Sequence, residues 1–332
     1  MKPELRRLAL RAYLKRLAHS TKPILLGPWR SEVGFEVLYW LPLLRWWAKT
    51  YQIDPARIVA VTRGGASVLY GTPSVDLYRL RSVDAVRLEN QYDWQRTSLQ
   101  KQIDVTPWDR DVLKEAAAMA LGRGEKYHVF HPSWMYWAFA PFWEEKRGLS
   151  HLADLTDYEP VRNLPRPAIE LPASYACMKW YDRPTFSVHE PKVQQLVSEV
   201  TGILGAQTKI VLLTGTEATD DHSDLVVEHP SIVRLPAVAP EQNLAQQLQV
   251  LAHASAFLGP YGGMAQAALR MGVPSVSFYT EFGQTAHAHL ALSSILSKKT
   301  KVPFLTASVE DVQSWRRVIS LPHVVKKDEA TA

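Results

Sequence analysis

The chain has a single cysteine, Cys177, and no apolar run that approaches the roughly 18 residues needed to span a bilayer. One cysteine excludes an internal disulfide and a zinc site built from cysteine ligands. No secretory signal peptide is visible, so we expect a cytoplasmic protein. Internal repeats and low-complexity tracts are also absent, and 46% of the residues are hydrophobic. This composition is typical of a globular protein with a sizeable core.

Net positive charge is confined to the first 22 residues, because the whole chain has a formal charge of only +5. The cations of residues 1–22 face one acid, Glu4, and they are Lys2, Arg6, Arg7, Arg11, Lys15, Arg16 and Lys22. The nearly neutral remainder excludes a generally basic nucleic-acid-binding protein. Leucines recur among these cations at near-helical spacing, which predicts a basic amphipathic helix. It either packs on its own domain or lies on an anionic membrane surface.

The length of 332 residues fits two domains of about 150 residues each. Apolar strand-like segments alternate with helical segments, most clearly after residue 172, and this order predicts parallel sheets with right-handed crossovers. Prolines cluster in residues 160–172, an extended stretch that cannot continue a helix. We therefore predict an α/β protein with two Rossmann-like domains. The predicted segments are a helix over 1–22, an N-terminal domain over 23–165, a C-terminal domain over 166–322 and a flexible tail over 323–332.

Two glutamates follow the first predicted strand. The apolar run 24–26 ends at Gly27-Pro28, and a helix-length segment rich in Leu and Trp begins after Glu32 and Glu36. Ligands of α/β proteins bind at the carboxyl ends of strands, so either carboxylate can serve there as a general base. The alternative role for Glu36 is a helix N-terminal carboxylate that the helix dipole stabilises.

Residues 131–143, HPSWMYWAFAPFW, concentrate aromatic side chains just after another predicted strand. Aromatic rings stack on sugar faces and also lie at membrane interfaces. The candidate contacts are Trp134, Tyr136 and Trp137. The alternative is a core helix between the domains.

A glycine-rich turn, residues 259–263, separates an apolar strand from a helix of small residues. Glycine permits close backbone approach and a helix N-terminus presents free N–H groups, so this turn predicts a diphosphate site. Residues at other predicted strand ends can contact the phosphates, the base or the ribose of a nucleotide. These residues are Lys179, Arg183, Thr214, Gly215 and Glu281. Residues 220–224, DDHSD, can bind a divalent cation, but a solvated or substrate-contacting loop is the preferred interpretation.

Two segments resemble the GT-B glycosyltransferases, in particular the ADP-heptose heptosyltransferases and their fucosyltransferase-like relatives. The N-terminal family pattern is Gly-Asp-Val-Leu-x-x-Leu-Pro-x-Leu, with the Asp as general base. Residues 36–44, EVLYWLPLL, match it with Glu36 at the Asp position, although one extra residue separates Gly34 from Glu36.

The C-terminal family pattern is Asp-Thr-Gly-x-x-His-x-Ala-x-x-x-Gly-x-Pro, which grips the nucleotide diphosphate. Counting back from Pro274 places Tyr261, Gly262 and Gly263 on Asp-Thr-Gly, and Gln266 on the His. Because these residues differ, the donor need not be ADP-heptose. Residues 175–186, 219–225 and 259–279 also look like segments of uncharacterised bacterial glycosyltransferase-like proteins.

The resemblance implies a metal-independent GT-B enzyme with two domains facing across a cleft and no cofactor beyond its nucleotide-sugar substrate. It would transfer a sugar to a hydroxyl of a glycan or glycolipid in bacterial surface polysaccharide synthesis, at the inner face of the membrane. Glu36, or failing that Glu32, would be the base. The implied donor contacts are Lys179, Arg183, Thr214, Gly215, Gly259, Tyr261, Gly262, Gly263, Gln266 and Glu281. The implied acceptor contacts are Trp29, Arg30, Trp134, Tyr136 and Trp137.

Three other functions stay open at this point. They are a polysaccharide pyruvyltransferase of GT-B shape, a nucleotide-sugar epimerase and a non-catalytic carbohydrate-binding protein.

Overall fold

Parallel strands alternate with helices in the computed structural model, which describes residues 2–97, 102–182, 186–214, 223–280 and 284–319. The chain divides into two units. Unit 1 comprises Met1–Glu159 and Ala239–Ala245, and unit 2 comprises Pro160–Val238 and Gln246–Ala332. The first division falls at the start of the proline cluster, where the chain cannot continue a helix.

Unit 1 has a four-stranded parallel sheet in the order β3-β2-β1-β4. Its strands are β1 (Ile24–Leu26), β2 (Ile58–Thr62), β3 (Ser74–Asp76) and β4 (His128–Phe130). Its helices are α1 (Pro3–His19), α2 (Val33–Phe35), α3 (Leu41–Tyr51), α4 (Val83–Thr97), α5 (Pro107–Ala120), α6 (Ser133–Trp143) and α7 (Ser150–Ala153). A π-helical turn, Glu36–Trp40, joins α2 to α3.

The loop after β1 is fixed to both neighbouring strands. The amide of Gly27 donates to the carbonyl of Phe130 (3.0 Å), and the amide of Trp29 donates to that of Val61 (2.8 Å). Gly27 has a φ of +117°, and a Cβ there would lie 2.5 Å from the carbonyl oxygen of Val61. Only glycine fits this turn. Gly27 therefore helps to determine the path of the loop that follows β1.

Unit 2 has a six-stranded parallel sheet in the order β12-β11-β10-β5-β7-β9, and β6 pairs antiparallel with β8. Its strands are β5 (Tyr175–Met178), β6 (Tyr181–Asp182), β7 (Lys209–Leu212), β8 (Ser223–Asp224), β9 (Ile232–Arg234), β10 (Phe257–Pro260), β11 (Ser275–Tyr279) and β12 (Phe304–Ser308). Its helices are α8 (Pro191–Gly205), the greater part of α9 (Pro240–Ala252), α10 (Gly263–Arg270), α11 (Gln284–Thr300) and α12 (Val312–Ile319).

Each unit encloses its own apolar core, which is what a sheet covered by helices requires. Unit 1 buries residues of β1, β2 and α5, and unit 2 buries residues of β5, β7, β10, α8 and α12. Helix α1 contributes Leu10, Leu14 and Leu17 to unit 1, each at most 1% exposed. The predicted α/β class with two Rossmann-like units and mostly parallel sheets is confirmed. Within the described residues, no helix is both long enough and apolar enough to cross a membrane.

Candidate active site

Two glutamates lie beyond the carboxyl end of β1 in different environments. Glu32 precedes α2 and is partly buried, whereas Glu36 begins the π-helical turn and is fully buried. π-Helical turns are rare and occur frequently at functional sites. This edge of a parallel sheet is also where α/β proteins bind ligands, so we treat the two glutamates as the centre of a candidate active site.

A chain of hydrogen bonds orients the Glu32 carboxylate. The Ser31 hydroxyl donates to Glu32 Oε2 (2.6 Å), and the Tyr136 hydroxyl donates to Ser31 Oγ (2.8 Å). Arg63, which follows β2, donates to the carbonyl oxygen of Ser31. Burial, and after it the negative charge of Glu32, raises the pKa of Tyr136 well above its usual range, so this hydroxyl remains a donor. An oriented and partly exposed carboxylate has the properties of a general base.

Glu36 has a pKa suited to a general base, but its side chain is not accessible to solvent or to a substrate in this structure. Tyr70 donates its hydroxyl hydrogen to Glu36 Oε1 (2.5 Å), and Oε2 has no hydrogen-bond partner among the described residues. Burial raises the pKa of Glu36 to about 7, although the charge of Arg63 and the bond from Tyr70 lower it. Its side chain is 0% exposed. The sequence favours Glu36 over Glu32 as the base, whereas in the structure Glu32 is the partly exposed residue of the two.

The buried Glu36 predicts a pH-dependent stability. Below pH 4.5 the carboxyl group is protonated in both native and unfolded chains, and between pH 4.5 and about 7 the native state alone retains the proton. The contribution of Glu36 to stability therefore decreases as pH rises through this range, by roughly 3 kcal/mol in total, and is constant above it. Because an amide does not ionise, we expect Glu36→Gln to match wild type at pH 5 and to be more stable at pH 8, measured by urea unfolding.

The control for this measurement is Glu125→Gln, because Glu125 is exposed. This variant should keep the pH dependence of the wild-type protein. A Glu36→Gln variant that is less stable than wild type at pH 8 would contradict the assignment of a destabilising buried carboxyl group.

Trp29 and Arg30, predicted to contact an acceptor, are both 0% exposed. Trp29 stacks on Trp40 with ring centroids 5.7 Å apart, and its ring is also nearly parallel to that of Tyr136 at 6.4 Å. Their burial removes both side chains from the candidate acceptor contacts. They instead hold the segment that carries Glu32.

Arg30 is the centre of a buried polar network. Its guanidinium donates to Asp93 (2.6 Å), Asn90 (2.8 Å) and Asp109 (3.2 Å), which lie on α4 and α5. Burial alone raises the pKa of Asp109, but the His131 imidazole, 3.4 Å from the carboxylate, and the charge of Arg30 outweigh it and hold this pKa well below its usual range. A buried charge must be paired in this way, so the network ties the loop after β1 to two helices.

The aromatic segment is mainly core. Tyr136 is 2% exposed, and six further residues of α6 are buried, namely Met135, Ala138, Phe139, Pro141, Phe142 and Trp143. Trp134 stacks on Tyr13 of α1 at 4.3 Å, and Trp137 has Arg6 of α1 over its ring at 5.7 Å. The burial of Tyr136 leaves it no direct acceptor contact. Trp134 and Trp137 are partly exposed but contact α1 rather than the edge that carries Glu32.

In unit 2, the carboxyl ends of β5, β7 and β10 lie at one edge of the sheet. They bring together Lys179, Thr214 and the start of α10, as the sequence predicts for a diphosphate site. Gly262 is the N-cap residue of α10 and Gly263 is its first residue, and both are partly exposed. The N–H groups of this first helical turn point out of the helix. A Cβ on Gly262 would lie 2.6 Å from the Tyr181 hydroxyl, so a larger residue there would displace the Tyr181 side chain.

Lys179 is fully engaged within unit 2. Its ammonium group donates to Asp224 (2.7 Å), to the carbonyl of Leu213 (3.0 Å) and to Gln247 (3.1 Å). These three bonds use all the protons of an ammonium group. Burial lowers the pKa of Lys179, and Asp224 opposes this effect. The predicted diphosphate contact therefore becomes a structural contact in this conformation, with Asp224 of the acidic segment as its partner.

Other predicted donor residues are also buried. Gly259 lies within β10, and a Cβ there would be 2.4 Å from the carbonyl oxygen of Lys179, so this glycine permits two backbone segments to approach. Tyr261 and Gln266 are 5% and 3% exposed. Burial raises the pKa of Tyr261 to about 12. Among the predicted donor contacts that the structure describes, accessibility is retained by Thr214, Gly262 and Gly263.

Arg183, Gly215 and Glu281 lie outside the described residues, as do residues 220–222 of the acidic segment. In the part of the chain that the structure describes, no cluster of three metal-ligating side chains occurs.

Ser31, Arg63 and Tyr70 interact with the two glutamates but are not among the site residues that the sequence predicts. Ser31 adjoins Glu32, and Arg63 follows a predicted strand, so their positions in the sequence indicate that they lie near the site. Tyr70 lies 34 residues after Glu36, and nothing in the local sequence indicates that it lies near the site. Only the fold brings its hydroxyl to the carboxylate.

Comparison with known proteins gives no sequence-level match, since neither a family model nor a curated protein matches the chain. Solved structures of glycosyltransferases are similar at low identity. The iron-containing dodecameric heptosyltransferase TibC from enterotoxigenic E. coli H10407, in complex with ADP-D-beta-D-heptose, has a TM-score of 0.43 and 11% identity. The alignment covers 80% of this chain and 60% of TibC, so the chain spans about three fifths of that protein.

Two further structures align over nearly their full length. E. coli ADP-heptose LPS heptosyltransferase II has a TM-score of 0.46 and 12% identity, with 93% of this chain and 100% of that chain covered. E. coli heptosyltransferase WaaC with ADP has a TM-score of 0.41 and 15% identity, with 90% and 99% covered.

Proposed function

We propose that the protein is a glycosyltransferase that moves a sugar from a nucleotide-sugar donor to an acceptor hydroxyl, with Glu32 as the general base. The observation that carries the proposal is the Glu32 carboxylate, which Ser31 orients at the carboxyl edge of the unit 1 sheet while part of it stays exposed. A carboxylate that is held by a hydrogen bond and belongs to a partly exposed residue suits proton removal from a substrate.

The proposed reaction forms one bond and breaks another. The acceptor oxygen attacks the anomeric carbon of the donor, and the bond from that carbon to the diphosphate oxygen breaks. The acceptor proton passes to Glu32, and the nucleoside diphosphate leaves. General base action contributes about 10²- to 10⁴-fold in rate. Positioning of the substrates and stabilisation of the leaving diphosphate must supply more.

The donor diphosphate is proposed to bind at Gly262 and Gly263. The free N–H groups and the positive dipole of the α10 N-terminus favour an anion there, and both glycines are partly exposed. Thr214 lies at the same sheet edge and can donate its hydroxyl. We propose no metal and no cofactor, because the helix N-terminus and hydroxyl groups can stabilise the leaving group.

Nucleotide binding to this turn predicts a thermal shift. A nucleoside diphosphate at about 100 times its Kd should stabilise the native protein by about 2.7 kcal/mol. We expect Gly262→Ala to abolish the shift, because the added methyl group forces Tyr181 to move and reshapes the turn. Differential scanning fluorimetry across the common nucleoside diphosphates checks this.

The matched control is Gly202→Ala, which adds a methyl group to α8 where a Cβ would meet no atom within 4 Å. It should respond to the nucleotide as wild type does. A wild-type protein that responds to no nucleoside diphosphate would contradict the donor site.

The acceptor is proposed to be a glycan or glycolipid of a bacterial surface polysaccharide. The test is product analysis by mass spectrometry after incubation with nucleotide-sugars and glycan acceptors. Transfer of a hexose or heptose supports the proposal. Pyruvyl transfer from phosphoenolpyruvate, or epimerisation of the donor without transfer, would replace it, and the absence of turnover with every donor would favour a carbohydrate-binding role.

A further inference from the structure

Helix α1 presents two opposite faces. Leu10, Leu14 and Leu17 pack into unit 1. The indole N–H of Trp47 donates to the carbonyl of Leu14 (3.1 Å), and Arg57 donates to the carbonyl of Leu17 (3.1 Å). The helix is thus part of the folded unit and not a detached arm. Its outward face therefore has a fixed position on the surface of unit 1.

The outward face is apolar at one end and cationic at the other. Leu5 and Leu8 are 50% and 61% exposed, although leucine is normally buried. The exposed residues of the helix also include Ala12, Lys15, Arg16 and His19. At 100° per residue, these side chains and the two leucines occupy an arc of about 100°. We name this set the α1 stripe.

The charge around the α1 stripe is positive. The exposed acid of the helix, Glu4, forms an ion pair with Arg147, and Asp154 forms one with Arg7 of the helix. Lys2 and Lys22 are exposed at the two ends of the helix and extend the positive surface beyond Lys15 and Arg16. The surface therefore attracts an extended negative charge rather than a single anion.

We propose that the α1 stripe docks unit 1 on an anionic lipid bilayer. Leu5 and Leu8 would enter the boundary between headgroups and acyl chains, and the cations would lie against anionic headgroups. Two leucines and an alanine form too small an apolar area, without aromatic anchors, for the core of a protein interface. A bilayer also supplies the extended negative surface that these cations match.

The experiment measures binding of the full chain to vesicles of phosphatidylcholine alone and of phosphatidylcholine with phosphatidylglycerol. We expect binding to the anionic vesicles at about 0.1 M salt and loss of most of it at about 1 M, where the Debye length is about 3 Å. Lys15→Gln with Arg16→Gln should weaken binding about 30-fold, since each cation near the surface contributes about fivefold. Leu5→Gln with Leu8→Gln should also weaken it.

Helix α4 provides the matched control, because Leu88 and Tyr92 are 60% and 58% exposed on a helix of mixed charge. Leu88→Gln with Tyr92→Gln should bind as wild type does. Equal binding to both vesicle types, or weaker binding of the α4 variant with unchanged binding of both α1 variants, would overturn the proposal. Deletion of residues 1–22 is not a clean test, since it also removes three core leucines.

A second measurement locates the contact directly. The natural Cys177 is fully buried, so a cysteine at Leu8→Cys can be labelled selectively with a polarity-sensitive dye. Its emission should shift to the blue with anionic vesicles, and the same dye at Leu88→Cys should not shift. The reverse pattern contradicts the proposal. Neither measurement uses turnover, so their outcome is independent of the glycosyltransferase proposal.

Discussion

Replacement of Glu32 by glutamine is expected to lower kcat by about 10²- to 10⁴-fold with little change in KM. The amide keeps the size of the side chain and can still accept the hydrogen bond from Ser31, but it cannot take the acceptor proton. Circular dichroism and urea unfolding should match wild type because the side chain is partly exposed. Steady-state kinetics with the donor and acceptor found by product analysis measures the loss.

The comparison with Glu36→Gln separates the two glutamates. If Glu32 is the base, Glu36→Gln should reduce kcat less than Glu32→Gln does, because Glu36 is sealed from the substrate. A larger loss in Glu36→Gln would restore the order that the sequence favours. That result would require the segment covering Glu36 to open when the acceptor binds. Full turnover in both variants would exclude a carboxylate base at this edge of unit 1.

Replacement of Asp109 by alanine is expected to destabilise unit 1 by about 3–5 kcal/mol, because it removes one carboxylate from the buried Arg30. Asp109 also accepts a hydrogen bond from the amide of Thr106 (3.0 Å) in the capping box of α5, so the same change weakens a helix start. Urea unfolding gives the loss in free energy. Hydrogen exchange should locate it in peptides of α4, α5 and the loop after β1.

The control for Asp109→Ala is Glu115→Ala on the same helix. Glu115 pairs with Arg81 at 2.7 Å, but its side chain is 50% exposed. Water screens such a pair, so its loss should cost less than about 1 kcal/mol. Similar losses in the two variants would show that the Arg30 network contributes no more than an exposed ion pair.

Much of the fold follows from local signals in the sequence. Apolar runs of three to five residues become buried strands because their side chains have no polar face to expose. The glycines at 27 and 259 are required by close backbone approaches that a Cβ would block. Proline begins several helices, among them α5, α8 and α9, where its missing N–H costs nothing.

The candidate site could be predicted only in part. The position of Glu32 and Glu36 after a strand, and of Gly262 and Gly263 at the start of a helix, is local information. Burial is not, because it depends on which distant segments cover a side chain. Arg30 is charged and Trp29 is aromatic, so both look like ligand contacts in the sequence. Asp93, Asp109 and Tyr136, which lie more than 60 residues away, make them structural instead.

The sequence by itself determined the α/β class, the alternation of strands and helices, the basic N-terminal helix and the loops that carry the candidate chemistry. The tertiary structure decided which carboxylate reaches solvent and which is buried with a pKa of about 7. It also paired Lys179 with Asp224 and placed Tyr70 on Glu36. The physical reason is that desolvation and pairing act through space, between residues far apart in the chain, whereas strand and helix signals act between neighbours.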